Sequence, residues 1–205
     1  MKTPTALTTL ALTVASLASP IPDAVSSYPP VFKVNKVISG GSGCPQGSID
    51  VDYTSSAILP IYFSRDFTAS VGSNIAADQS RKNCQLNLDL TYSAGWSYAV
   101  YSADYTGWAS VDNGVKGVVK STYYFSGEQA QASSTMYING PYTGKYTKRD
   151  DVALSVWSPC GGEALLNINA EVALTPFGSS ASGTIAAVKE TGKFTNQLYL
   201  KWRQC

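Results

Sequence analysis

Cys84-Gln85-Leu86-Asn87-Leu88-Asp89-Leu90 is the stretch that decides the fold class. Apolar and polar residues alternate without a break. An extended chain therefore puts Cys84, Leu86, Leu88 and Leu90 on one face and Gln85, Asn87 and Asp89 on the other. Such a strand has one face in a core and one in water, as strands of antiparallel sheets commonly do. Outward from it run further short apolar or alternating segments: Val31 to Ile38, Ser48 to Tyr53, Ala57 to Phe63, Trp96 to Tyr105, Val115 to Phe125, Thr135 to Ile138, Val152 to Trp157, Leu165 to Leu174, Thr184 to Val188 and Leu198 to Trp202. Asp112-Asn113-Gly114 and Asn139-Gly140-Pro141 are turn signals between them. The helical candidate is one short turn at Ala76 to Lys82. About ten short strands, without a long amphipathic helix or a fixed-period repeat, predict an all-β domain, an antiparallel β-sandwich of jelly-roll type.

The N-terminus reads as an export signal. Lys2 supplies a positive start, Ala6 to Leu17 a short apolar run, and Ser16-Leu17-Ala18 a small-residue cleavage site after Ala18. The run is too short and too rich in Thr for a membrane span, which needs about 20 apolar residues. The expected organisation is a signal peptide over 1–18, a Pro/Ser/Gly-rich leader with a candidate edge strand over 19–42, and the β-sandwich over 43–205. Four cysteines follow the signal: Cys44, Cys84, Cys160 and Cys205. An even number in an exported chain predicts two disulfides. Three connectivities exist, and the local pairings Cys44–Cys84 and Cys160–Cys205 are preferred. Each closes a loop of roughly 40 residues, worth about 4 kcal/mol in the chain-entropy model.

Composition narrows the chemistry. Charged residues are 14%, with 15 Lys and Arg against 14 Asp and Glu. Removal of the signal takes Lys2, so the mature chain is neutral, which argues against nucleic acid and against anionic membrane as partners. Histidine is absent. That removes His-dependent triads and His-ligated metal sites, and no Ser-x-x-Lys or phosphate-binding glycine loop takes their place. No catalytic residue, metal site or cofactor is assigned. Paired carboxylates survive this filter, since glycoside hydrolysis needs only two at about 5–10 Å. The candidates are Asp50 with Asp52, Glu163 with Glu171, and Asp150 with Asp151. Asp150-Asp151 follows Lys148-Arg149, so local ion pairing accounts for it. Lys148-Arg149 is also a dibasic sequence, but a cut there would fall inside the strand series.

The segment Trp96 to Trp108 carries the positive signal. Trp96, Tyr98, Tyr101, Tyr105 and Trp108 lie within thirteen residues, interleaved with Ser, Thr and Asp104. Strict alternation sets Trp96 and Tyr98 on one face and Tyr101 and Tyr105 on the other. Rings beside polar side chains hold sugars, by stacking plus hydrogen bonds to hydroxyls. These five residues are the candidate ligand-binding set. The competing account is that they are core, since one face of every sandwich strand is buried.

Three stretches carry a family likeness: Gly43-Cys44-Pro45, Tyr123-Tyr124-Phe125-Ser126-Gly127, and Trp157-Ser158-Pro159-Cys160-Gly161 leading into Leu166-Asn167-Ile168-Asn169. With Asn83-Cys84 and Trp202 to Cys205, they resemble the fungal secreted family called domain of unknown function 4360, from about Gly43 to Cys205. The resemblance implies a fungal, secreted, β-rich domain and carries over no catalytic residues. It also implies an extracellular surface or host-interaction role. The expected function is therefore non-enzymatic binding of a cell-wall polysaccharide or a host surface protein, as a cell-wall-associated or effector (virulence-associated) protein. The alternatives are a two-carboxylate carbohydrate-active enzyme and a structural wall or coat protein.

Overall fold

The computed structural model describes residues 29, 31–52, 57–151, 156–187 and 194–205. The expected signal peptide, the leader up to Tyr28, and Val152 and Leu154 of the expected Val152 to Trp157 strand lie outside the described residues. Among the described residues there are eleven strands: β1 (Phe32–Gly40), β2 (Ile49–Val51), β3 (Ile58–Phe63), β4 (Ala69–Val71), β5 (Arg81–Val111), β6 (Lys116–Phe125), β7 (Gln131–Asn139), β8 (Tyr142–Asp151), β9 (Gly161–Thr175), β10 (Gly183–Ala187) and β11 (Phe194–Gln204). The helical turn expected at Ala76 to Lys82 is a four-residue 3-10 turn, Ala77–Ser80. All strand pairings are antiparallel.

The stretch Cys84 to Leu90 is part of a strand far longer than its own pattern suggests. β5 runs 31 residues and belongs to both layers of the sandwich. Its first half pairs with β1 on one side and β9 on the other, and β9 continues to β6 and β7; this is sheet one. Its second half pairs with β11 and β8, and β11 continues to β3 and β2; this is sheet two. After Thr106 β11 ends, and β10 takes its place beside residues 108–111, with β4 outside it. The change of layer falls at Ser93-Ala94-Gly95. The β5–β9 register breaks between Thr91 and Trp96, and Gly95 has φ +78°, a left-handed conformation that costs glycine nothing.

The inner faces meet in one core. Leu86, Leu88 and Leu90 of sheet one are fully buried, as are Leu59, Ile61, Phe63 and Leu198 of sheet two. Tyr98 packs edge-on against Phe125 of the opposite sheet at 5.1 Å and lies 5.0 Å from Trp202. The Tyr105 and Tyr123 hydroxyls meet across the layers at 2.9 Å, and Asn196 Nδ2 donates to Tyr123 at 3.2 Å. These polar contacts matter because a buried hydroxyl without a partner costs about 1–3 kcal/mol.

Both expected disulfides are formed, Cys44–Cys84 and Cys160–Cys205. The first ties the loop after β1 to the start of β5. The second ties the start of β9 to the end of β11, at the corner where β5 passes between them; Trp96 pairs there with Gly161 and with Gln204.

A second irregularity in β5 lies at Tyr101. Leu200 faces Val100 while the adjacent Tyr199 faces Ser102, so Tyr101 is an extra residue, a β-bulge. One extra residue inverts the alternation. Trp96, Tyr98 and Val100 face inward, and beyond the bulge Ala103, Tyr105, Ala109 and Val111 do so. Deleting Tyr101 should therefore leave the inward set of both halves intact and yield a secreted, cooperatively unfolding protein. Deleting Asn87, in a bulge-free register, should place Leu86 and Leu88 on opposite faces and abolish folding. Thermal unfolding by circular dichroism checks both, and a folded Asn87 deletion would contradict this register.

Candidate functional site

Every second residue of β5 after the bulge points away from the core: Asp104, Thr106, Trp108 and Ser110. Register places them beside Arg149, Thr147, Lys145 and Thr143 of β8, and sets Asp104 and Thr106 beside Gln197 and Thr195 of β11. The outward face of sheet two is thus a polar track with rings at intervals. Its hydroxyls come together in pairs: Thr106 with Thr147 at 3.2 Å, Ser110 with Thr143 at 3.0 Å, and Ser70 with Thr184 at 3.3 Å.

One end of the track holds a tight charged cluster. Arg149 Nε and Nη2 donate to the two Asp104 carboxylate oxygens at 2.7 and 2.8 Å, a bidentate pair. The Tyr199 hydroxyl donates to Asp104 Oδ2 at 2.8 Å and accepts from Arg149 at 2.7 Å and Gln197 at 2.9 Å. The guanidinium lies 4.7 Å from the centre of the Tyr199 ring, and Tyr101, 39% exposed, lies 6.2 Å from it on the other strand. Hydrogen bonding from Arg149 holds the Asp104 carboxyl below the usual carboxylate range, with the Tyr199 hydroxyl acting in the same direction. Desolvation, then the hydrogen bond to Asp104, pushes the Tyr199 hydroxyl up. The cluster is therefore a fixed ion pair with a neutral phenol at neutral pH.

The other end is a cavity of about 420 Å³ where β4, β10 and the end of β5 meet. Ser70, Ser73, Asn74, Ser110, Asp112 and Thr184 supply its polar walls, and Val71 and Ile75 its apolar one. Asp112 Oδ2 accepts the Ser182 backbone N–H at 2.8 Å.

The five aromatic residues singled out in the sequence do not form one surface. Trp96, Tyr98 and Tyr105 face the core, and the rings that reach the outward face of sheet two are Tyr101 and Trp108. The bulge is the reason: it brings Tyr105, of opposite parity to Tyr98, onto the same inward face. The carboxylate pairs are likewise dispersed. Glu163 and Glu171 stand eight residues apart on β9, about 26 Å along a strand, and Glu171 pairs with Arg81. Asp150 points inward, where Lys148 at 2.7 Å and the Ser134 hydroxyl hold it, while Asp151 is exposed. Asp50 and Asp52 are exposed near the β2 edge, away from the cavity. Lys148-Arg149 lies within β8, paired with β5.

Sequence reading missed Tyr199, Gln197 and the partnership of Arg149 with Asp104. Asp104 lies 45 residues from Arg149 and 95 from Tyr199 along the chain, and register alone brings them together.

Comparison with known proteins agrees with the family likeness read from the sequence. The profile of the DUF4360 family, described as a domain of unknown function, matches residues 30–205. The chain belongs to this family. A relative from the fungus Arthroderma benhamiae, named as an uncharacterized secreted protein, is 37% identical over 172 residues, spanning 82% of this chain and 70% of the relative. With its two disulfides, this DUF4360 protein is secreted and extracellular. Among solved structures, TmCBM61 in complex with β-1,4-galactotriose aligns with a TM-score of 0.28 at 11% identity, over 84% of this chain and 91% of that one. The family 11 carbohydrate-binding module of Clostridium thermocellum, in complex with a mixed-linked tetrasaccharide, aligns with a TM-score of 0.22 at 6% identity, over 82% and 90%. Scores this low carry no argument about this chain.

The cluster makes a direct prediction. The Asp104–Arg149 pair contributes stability above the unfolded carboxyl value of about 4 and loses it as pH falls through the lowered folded value. Carbon-detected NMR should find the Asp104 midpoint below that of a free aspartate. Arg149→Gln should raise it, and Tyr199→Phe should raise it by less. An Asp104 that titrates like a free aspartate in the unsubstituted protein would show that the pair does not form in solution.

Proposed function

We propose that this protein is a non-enzymatic carbohydrate-binding protein of the extracellular space, and that it binds a cell-wall polysaccharide on the outward face of sheet two. The observation that carries the reading is the Tyr101–Tyr199–Asp104–Arg149–Gln197 cluster on a track lined with Ser and Thr hydroxyls. Rings give sugar C–H faces an apolar partner, while the fixed carboxylate, guanidinium and amide present hydrogen-bonding groups of both kinds to the hydroxyls. The ion pair is held from both sides before any ligand arrives, so binding does not have to order it. A neutral chain with neighbouring opposite charges suits a neutral glycan better than a polyanion.

No carboxylate pair flanks the cavity, which holds the single acid Asp112 already bonded to backbone. Binding without turnover is therefore the reading adopted over two-carboxylate hydrolysis.

Pull-down of the mature protein on insoluble chitin, β-glucan and cellulose tests the proposal. Retention on at least one polymer is expected, and Tyr199→Ala with Tyr101→Ala should lower affinity by about tenfold or more, as loss of a stacking contact does. Trp96→Ala should instead lower thermal stability, because that ring is buried. Wild-type retention by the Tyr101/Tyr199 double variant would remove the cluster from the binding site.

A further inference from the structure

The cavity at the far end of the track has a chemistry of its own. Its lining contains no Lys or Arg, and its one acid is engaged by the Ser182 backbone N–H at 2.8 Å. Phosphate, sulfate and carboxylate ligands would find no counter-charge there, and a cation would find one carboxylate already used. What the lining offers is the hydroxyls of Ser70, Ser73, Ser110 and Thr184 and the amide of Asn74, with the exposed apolar side chain of Ile75 among them. Hydroxyl and amide groups beside an apolar side chain match a polyhydroxylated ring with its C–H face. The volume, about 420 Å³, lies in the range of small-molecule sites.

Position gives the cavity a further meaning. Ser110 and Thr184 lie on the same outward face as Asp104 and Arg149, with Trp108 and Thr106 on the strand between. Six residues of extended chain separate Asp104 from Ser110, about 20 Å. Beyond Ser110 the track stops. β5 ends at Val111, and Asp112 and Ser182 hold each other through Asp112 N–H to Ser182 O at 2.9 Å and Ser182 N–H to Asp112 Oδ2 at 2.8 Å. The turn after β4 adds Gly72, Ser73, Asn74 and Ile75 to the wall. The pocket is open to solvent, but the strand ladder ends there with the turn after β4 beside it, and a track with an end favours a chain end over a polymer that runs past.

We infer that this cavity is a terminal subsite: it takes the last sugar of a neutral glycan whose following residues lie along β5 toward Tyr199. The inference rests on the carbohydrate-binding reading above and adds to it the preference for chain ends. Ser70–Thr184 and Ser110–Thr143 are the hydroxyl pairs that border the entering ring.

Calorimetric titration with chito-, laminari- and cello-oligosaccharides of two to six sugars tests it. Two sets of substitutions separate the ends of the track: Ser73→Ala with Asn74→Ala on the exposed turn, and Tyr199→Ala in the cluster. Ser110→Val with Thr184→Val provides a second cavity variant that removes both hydroxyls and leaves β-branched, strand-favouring side chains in their place, and thermal unfolding confirms that each is folded. The cavity variants should lose at least tenfold affinity for every length that binds. Tyr199→Ala should lose affinity for the longer oligosaccharides and bind the disaccharide as the unsubstituted protein does. Partial cleavage of the polymer, which multiplies its ends, should raise binding capacity per unit mass. Cavity variants with unchanged affinity for all lengths, beside a weakened Tyr199→Ala, would overturn the terminal subsite and leave the track standing. Failure of the unsubstituted protein to bind any polymer or oligosaccharide would overturn both.

Discussion

Everything in this molecule hangs on one strand serving two sheets. β5 contributes a hydrophobic face to each layer, so the two inner faces are covalently continuous and cannot slide against one another. A strand that long would leave the sandwich unless it turned, and Ser93-Ala94-Gly95 provides the turn. Both disulfides act on the same element. Cys84 lies within it, and the Cys160–Cys205 bond clamps its two neighbours at the corner. Their cross-links, worth about 4 kcal/mol each in the chain-entropy model, are therefore spent on the strand whose misplacement would disrupt both layers.

The bulge at Tyr101 gives the site its composition. Were the same sequence paired in strict alternation, without the bulge, a strand with Tyr98 and Val100 inward would also turn Asp104 inward and Tyr105 outward. A carboxylate would then face the core, at a cost of several kcal/mol unless paired. With the bulge, Asp104 emerges beside Arg149 and Tyr199, and Tyr105 enters the core to meet Tyr123. For this sequence the bulged register thus separates the rings that stabilise the fold from the groups that line the surface. Bulges recur beside functional sites for this reason.

The legibility of the sequence follows the same physics. Cys84 to Leu90 reads as a strand because its alternation is perfect, and the four cysteines read as disulfides because export leaves few other uses for them. The continuity of β5 is hidden, since Ser93-Ala94-Gly95 looks like an ordinary turn between two strands. β8 is hidden too: Tyr146 is its one fully inward apolar residue, so Tyr142 to Asp151 shows no amphipathic period. β4, three residues long, gives no period at all. Of the site, Tyr101 and Trp108 were visible as aromatic residues in a strand, but which rings would surface depended on a bulge that no residue pattern announces. The hydroxyls of Ser70, Ser110, Thr143 and Thr184 come from four strands and mean nothing singly. Only the register makes a row of them.

The central claim is that ligand contacts lie along one face, from Tyr199 to the cavity at the end of β5. Amide chemical-shift mapping of isotopically labelled protein, titrated with chitohexaose, laminarihexaose and cellohexaose, addresses it most directly. The account predicts that one of these glycans perturbs residues 104–112 of β5 and its continuation, 143–149 of β8 and 197–199 of β11, with little change across Gln85, Asn87 and Asn167 on the outward face of sheet one. Perturbations confined to sheet one, or scattered without a continuous track, would contradict it.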